Sequence, residues 1–323
     1  MPLHPLRFLY LVLLLLCTFF AAAQNTQEED SSLTWDPDGT TIILHAQPYY
    51  LEYNQANSLN FGMGAKAEVL LPRVLSLQGS FKQSLFDLNH YNATKGVVSS
   101  QNATKLFFQY EAGFGLFFNY TGYAKARVFA WPGTEFYVDP IEKDTMYTFT
   151  PQYLPARVMV GLRAGIYSWS QTIDQTSAKG GLAGEPAGTG VPFTFPDTAD
   201  VYTVCRANGF YGGISVSKLL RVFYTSAKGE EEEISFIRNV YLDVLYCPTI
   251  ALDQILYNGV PYNVTGTGGF KTQNLGARII FEKTGCVDFP RLNISYRLEV
   301  GMRPGIEGKG GYLMQTIGLG FSK

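Results

Sequence analysis

The chain has 323 residues, and 25 Lys and Arg stand against 27 Asp and Glu for a net charge of −2. Charged residues make up 16%, against roughly 25% in soluble domains, while 46% are hydrophobic and 15% aromatic. Disorder is excluded by that apolar content, and nucleic-acid binding by the missing basic excess.

Residues 1–23 read MPLHPLRFLYLVLLLLCTFFAAA. Arg7 supplies a positive start, Phe8 to Phe20 an uncharged apolar run, and Ala21-Ala22-Ala23 a small-x-small cleavage site. The pattern predicts a secretory signal peptide cut after Ala23. A membrane anchor would need about 20 apolar residues, more than this run supplies. Leu precedes Cys17 where a lipoprotein signal wants a small residue. Residues 24–39 read as a short acidic periplasmic tail, and 40–323 as one β-barrel domain. Export permits disulfides. Cys205, Cys247 and Cys286 cannot all pair internally, and no CxxC spacing marks a metal or redox site. A Cys205–Cys247 bridge and free thiols both stay open.

Beyond Gln24 no stretch reaches 18 uncharged apolar residues, and what recurs is period-two alternation, the mark of a strand with unlike faces. Over Leu59 to Leu71, Leu59, Phe61, Met63, Ala65, Ala67 and Val69 oppose Lys66 and Glu68. From Lys105 to Tyr120, Leu106, Phe108, Tyr110, Ala112, Phe114, Leu116 and Phe118 oppose Gln109, Glu111 and two glycines. Over Arg157 to Ser170, Val158, Val160, Leu162, Ala164 and Ile166 oppose Arg163. Arg291 to Met302 sets Leu292, Ile294, Tyr296, Leu298 and Val300 against Arg291, Asn293, Ser295, Arg297 and Glu299. Sandwich strands run about 5–6 residues. These are longer and match the roughly 9–11 needed to cross a bilayer. Phe118 and Tyr120, and Tyr167 and Trp169, near strand ends suit interfacial girdles. Strands facing lipid must close into a barrel, because hydrocarbon satisfies no backbone group.

The predicted strands are 40–53, 58–71, 74–87, 104–119, 122–131, 143–151, 157–170, 200–216, 219–227, 235–247, 250–258, 272–283, 291–302 and 311–322. Short turns fall at Pro72-Arg73, Thr121, Leu154-Pro155, Ser217-Lys218, Pro248-Thr249 and 284–290. Longer loops fall on the opposite side, at 54–57, 88–103, 132–142, 171–199, 228–234, 259–271 and 303–310. The expected fold is all-β: a single antiparallel transmembrane β-barrel of about 14 strands, or 12 if 143–151 and 250–258 fail, with periplasmic termini. The segment 171–199 is Gly-, Thr-, Ala- and Pro-rich without period and reads as a loop. Glu230 to Glu233 read as a solvated hairpin tip.

With these features the chain resembles a Gram-negative outer-membrane β-barrel protein at class level. The residues that carry the likeness are the AAA-Q signal end, the alternating hairpins and the last strand GGYLMQTIGLGFSK. There Ile317, Leu319 and Phe321 alternate with Gly318 and Gly320, similar to the C-terminal signal read by the barrel-assembly machinery. Gly318, Leu319, Gly320 and Phe321 are the residues concerned. Such signals usually finish on an aromatic residue, whereas here Ser322 and Lys323 follow. The resemblance implies an outer-membrane location, with membrane lipid and the assembly machinery as partners and no nucleic acid.

Alternation assigns Lys66, Glu68, Lys82, Glu111, Lys125, Arg127, Arg163, Asp243, Arg278, Glu282, Arg297 and Glu299 to the lumen. Lys or Arg facing lipid at mid-depth would cost about 2–4 kcal/mol. In a narrow barrel these charges pack as salt bridges, and in a wider one they line water. The leading expectation is a passive pore or small-solute transporter with a mixed-charge lumen. The alternative is a structural or ligand-binding barrel that uses its long loops to hold a surface partner. A third reading, a lipid-modifying enzyme, rests on His90 beside Asn89 with Ser84 upstream, but no nucleophile-elbow sequence supports it. No catalytic, metal or cofactor residues are assigned. Sequons occur at Asn92, Asn102, Asn119, Asn263 and Asn293; Asn119 and Asn293 lie in or at predicted strands, which argues against glycans, while the loop sites Asn92, Asn102 and Asn263 keep a eukaryotic secreted alternative open.

Overall fold

The computed structural model describes residues 41–55, 58–71, 75–88, 105–128, 152–174, 183–186, 193–195, 201–225, 231–263, 271–286 and 292–322. The predicted signal peptide, the tail 24–39 and the strand 143–151 lie outside them.

Sixteen strands follow in chain order. They are β1 (Thr41–Asn54), β2 (Ser58–Leu70), β3 (Leu75–Leu88), β4 (Phe108–Val128), β5 (Gln152–Asp174), β6 (Ala183–Pro186), β7 (Phe193–Thr194) and β8 (Tyr202–Thr225). Then come β9 (Glu231–Leu252), β10 (Ile255–Tyr257), β11 (Val260–Asn263), β12 (Thr272–Gln273), β13 (Leu275–Cys286), β14 (Leu292–Met302), β15 (Gly305–Ile306) and β16 (Gly311–Ser322). Ten of them close a barrel in the ring order β1-β16-β14-β13-β9-β8-β5-β4-β3-β2. Every neighbouring pair in that ring is antiparallel, including the closing pair β1–β16.

Ten barrel strands stand among the described residues in place of the expected 14 or 12, because three expected turns are strand interior and the expected strand 143–151 lies outside those residues. Thr121 lies within β4, where the register shifts between Phe118 and Gly122. Ser217 and Lys218 continue β8, paired with Asn239 and Arg238 of β9. Pro248 and Thr249 continue β9 past a register shift opposite Asn208 and Phe210. A bulge absorbs the missing N–H of a proline without ending a strand. Leu154-Pro155, read as a turn, is the start of β5. Pro155 pairs with Lys125 of β4, while β5 meets β8 only from Arg157 onward. Pro155 thus stands where β5 has a partner on one side only, and a sheet edge is the place that tolerates proline.

These longer strands move two connections. β4 ends at Val128 and β8 at Thr225, at the end where β1 begins and β16 finishes. The expected loop 132–142 lies outside the described residues, between the β4 and β5 ends at this terminal end, and the expected loop 228–234 overlaps β9, which already begins at Glu231. Here the β4–β5 pairing extends to Val128 and Gln152, and the β8–β9 pairing to Thr225 and Glu231. Both hairpins overrun the neighbouring ladders, because β9 pairs with β13 only as far as Phe236.

At the loop end, 171–199 is more than a loop. Residues 171–174 finish β5, and β6 and β7 join β10 and β11 in a four-stranded sheet ordered β10-β11-β6-β7. The predicted strand 250–258 splits between the end of β9 and β10. A two-residue turn, Asn258 (φ 50°) and Gly259 (φ 74°), joins β10 to β11, with Tyr257 opposite Val260. Positive φ at both positions is the type I′ hairpin that Asn-Gly favours. Phe195, Val201, Ile255, Tyr257 and Tyr262 form this sheet's buried cluster, with Phe193 packed against it.

The barrel is apolar outside and polar inside. Leu44, Phe81, Phe114, Leu116, Leu162, Ile166, Phe210, Ile214, Val244, Ile294, Ile317, Leu319 and Phe321 are exposed. Glu52, Lys66, Lys82, Asp243, Arg278 and Glu299 are buried. Tyr167 and Trp169 are not girdle residues: 1% and 4% exposed, they share the inward parity of Arg163. Phe118 does face outward, and the side chain of Tyr120 lies outside the described residues.

Candidate functional site: a charged interior

Twelve charged side chains are buried among the described residues. Lys66, Lys82, Arg163, Arg278, Arg297 and Arg303 balance Glu52, Glu68, Glu111, Asp243, Glu282 and Glu299. Ten of these belong to the sequence-derived set. The side chains of Lys125 and Arg127 lie outside the described residues.

The contacts of these groups run across the ring. Arg297 on β14 donates to Glu111 on β4 at 2.9 Å. Five strand steps separate β14 from β4 in a ring of ten, so the pair joins diametrically opposite walls. Arg278 on β13 meets three carboxylates: Glu111 at 2.6 Å, Asp243 at 2.8 Å and Glu299 at 3.2 Å. Arg297 also bonds Glu299 at 2.8 Å, and Lys82 on β3 approaches the same carboxylate at 3.6 Å. Lys66 bridges Glu68 at 2.7 Å and also reaches Glu282 on β13, four strand steps away. Arg163 lies 3.5 Å from Asp243 and stacks on Tyr241 and Tyr211. Tyr312 donates to Glu299 at 2.5 Å. Isolated ions in such a setting would cost several kcal/mol each, and mutual pairing offsets that cost.

Glycines give these groups room. Around the inside runs a cross-strand row: Ser76, Gly115, Arg163, Gly213, Asp243, Arg278, Gly301, Tyr312 and Asn54. A Cβ on Gly213 would lie 2.6 Å from Asp243 Oδ1, and one on Gly301 2.7 Å from Arg278 Cβ. Glycines thus flank Arg163 on both sides and border the Asp243–Arg278 pair, which leaves room for these large side chains.

Two residues of this network were absent from the sequence-derived set. Arg303 follows β14, and its guanidinium is bidentate on Glu52 at 2.5 and 2.7 Å. It also bonds Tyr167 Oη at 3.2 Å and Gln109 Oε1 at 3.1 Å, and stacks against Phe107, Trp169 and Tyr312. Trp169 Nε1 donates to Pro304 O at 3.0 Å, so residues 303–306 turn into the mouth. Ile306 joins the buried cluster of Tyr50, Phe107, Tyr167, Trp169 and Met314. Glu52 escaped parity counting because of a bulge. Ile43, His45 and Gln47 face inward, yet beyond Pro48 it is Tyr50, Glu52 and Asn54 that do. The register shifts there against both β16 and β2. Pro48 is the signal that could have marked it.

The four C-terminal residues fall on both faces. Leu319 and Phe321 are 45% and 66% exposed, while Gly318 and Gly320 face inward opposite Ser295 and Asn293. A Cβ on Gly320 would collide with His45. These glycines thus have a packing reason of their own. Ser84 bonds Tyr50 Oη at 2.7 Å, and His90 lies outside the described residues. Cys205 and Cys247 are buried free thiols.

No family model and no curated protein matches the chain. Among solved structures, an anion-selective porin from Comamonas acidovorans aligns over 91% of this chain and 100% of its own, at 9% identity and a TM-score of 0.18.

Proposed function

We propose that the chain is an outer-membrane barrel whose lumen is closed, acting as a structural or surface-ligand-binding barrel through its loop end. The carrying observation is the Arg297–Glu111 contact between opposite walls. Arg278, Lys82 and Glu299 crowd the same level. A passive pore needs a continuous aqueous path, and this network stands across it. The exposed apolar exterior supports membrane embedding, since a soluble barrel would bury its apolar face inside. At the loop end, the β6-β7-β10-β11 sheet offers a folded platform rather than an extended loop.

On this reading the signal peptide directs export, and the assembly machinery inserts the barrel through the β16 strand. Membrane lipid is its solvent, and no cofactor or catalytic step is invoked. Planar-bilayer recording tests the closed lumen. Folded wild-type protein should give no steady unitary steps across a range of salts. Stable conductance steps would overturn the closed reading in favour of the small-solute pore.

A further inference from the structure

At the loop end of the lumen the barrel wall builds a cage around one guanidinium. Glu52 (β1), Gln109 (β4), Tyr167 and Trp169 (β5) and Tyr312 (β16) project into it from ring strands, and Phe107 stands directly before β4. All six are buried. The Glu52 carboxylate takes the two parallel N–H bonds that a planar guanidinium offers and an ammonium does not. The ring centroids of Tyr312, Phe107 and Trp169 lie 3.8, 4.6 and 5.8 Å from the guanidinium carbon, as in aromatic sites for cationic ligands.

The occupant comes from outside the wall. Arg303 leads a loop that leaves the ring after β14 and returns to it at β16. Its backbone N–H donates to Gly310 O at 2.8 Å, which closes the loop on itself. Glu307 and Gly308 at the tip are exposed. The buried half is held by the Trp169 bond to Pro304 O, by Ile306 in the aromatic cluster and by the two-residue β12–β15 pairing. The ring ladders on either side of β14 do not use residues 303–306. The occupant also fits incompletely. Gln109 accepts from Arg303 through Oε1 at 3.1 Å, yet its Nε2 finds no partner among the described residues. A buried donor left unpaired is destabilising, and an occupant with a carbonyl placed there would relieve it.

We propose that this cage binds an arginine side chain carried by an extended peptide at the loop end, and that Arg303 is its built-in competitor. The inference rests on the ligand-binding reading above and names the chemistry of the ligand. The loop itself shows the pose. A guanidinium fills the cage, the carbonyl one residue further on takes Trp169 Nε1, and an apolar residue three positions on enters the cluster of Tyr50, Phe107 and Met314. The ligand class is therefore an extended segment of the pattern Arg-x-x-apolar. A segment tethered this closely competes at an effective concentration of roughly millimolar order, so free peptide binds the wild-type protein weakly.

Isothermal titration calorimetry on the full chain in neutral detergent tests the site, with acetyl-Arg-Pro-Gly-Ile-amide as the probe. Arg303→Ala removes the competing guanidinium, so the probe should bind this variant at least about tenfold tighter than wild type. Acetyl-Lys-Pro-Gly-Ile-amide should bind the variant about tenfold more weakly than the arginine probe, because an ammonium cannot make the fork. Adding Glu52→Gln should remove the preference for arginine. Equal binding of the two probes, or no binding to folded Arg303→Ala, would overturn the site and leave Arg303 as a structural tie. Gel mobility with and without heating checks folding. Wild-type protein supplies a second readout that needs no variant. Excess arginine probe should raise amide hydrogen exchange at residues 303–306, and unchanged exchange would overturn the displacement. Planar-bilayer recording separates this inference from the closed-lumen reading. Protein that gives no unitary steps yet fails both binding tests overturns the site alone, whereas steady steps overturn the closed lumen whatever the probe does.

Discussion

Arg278→Gln tests the charged interior most directly. Arg278 is fully buried and meets Glu111, Asp243 and Glu299 at 2.6, 2.8 and 3.2 Å. Removing one partner from a buried pair costs about 3–5 kcal/mol, because a charge is left without compensation. Here the loss falls unevenly. Glu111 and Glu299 keep Arg297 at 2.9 and 2.8 Å, whereas among the described residues Asp243 keeps only Arg163, at 3.5 Å, as a cationic partner. The expected cost is therefore about 3 kcal/mol, the lower end of that range and on the order of 100-fold in the folding ratio. Reversible urea unfolding in phospholipid vesicles measures it, read by tryptophan fluorescence, with Trp169 in the buried cluster as a reporter. Adding Asp243→Asn should recover about 1 kcal/mol or more, since the stranded carboxylate is then neutral. A loss under about 1 kcal/mol, or strictly additive losses in the double variant, would refute the claim that these ions form one network.

Glu52→Gln should release residues 303–306 from the mouth, raising amide hydrogen exchange there at least about tenfold while the β13–β14 ladder stays protected. Unchanged exchange would mean that Trp169 and the aromatic stack, rather than the ion pair, hold the segment. Ile214→Arg places a charge in the outer band and should cost about 2–4 kcal/mol in vesicles. A negligible cost would argue that this surface faces water. Gly213→Val should abolish the heat-sensitive shift in gel mobility, because its Cβ would meet Asp243 Oδ1 at 2.6 Å. Retained mobility shift would show that the interior row can relax.

Period-two patterning reported which way most side chains face, and the ten described members of the charge set all lie buried within the ring. That inference is local, since alternation is a property of one strand whatever its neighbours. Where the local rule broke, a proline or a bulge was responsible. Parity flips at Pro48 hid Glu52, and strands that pass through Thr121, Ser217-Lys218 and Pro248-Thr249 were counted double. Asn258-Gly259 carries a legible hairpin signal that the strand reading 250–258 overrode.

What the amino-acid order settles unaided is the division into an apolar and a charged face, because each residue's preference for hydrocarbon or water is its own. Ring size, strand ends and the pairing of Arg297 with Glu111, Arg303 with Glu52 and Lys66 with Glu282 depend on the tertiary structure. Each joins residues between 186 and 251 positions apart, or 216 in the third case. Only closure of the sheet sets those distances, and with them whether a charged lumen is open or full.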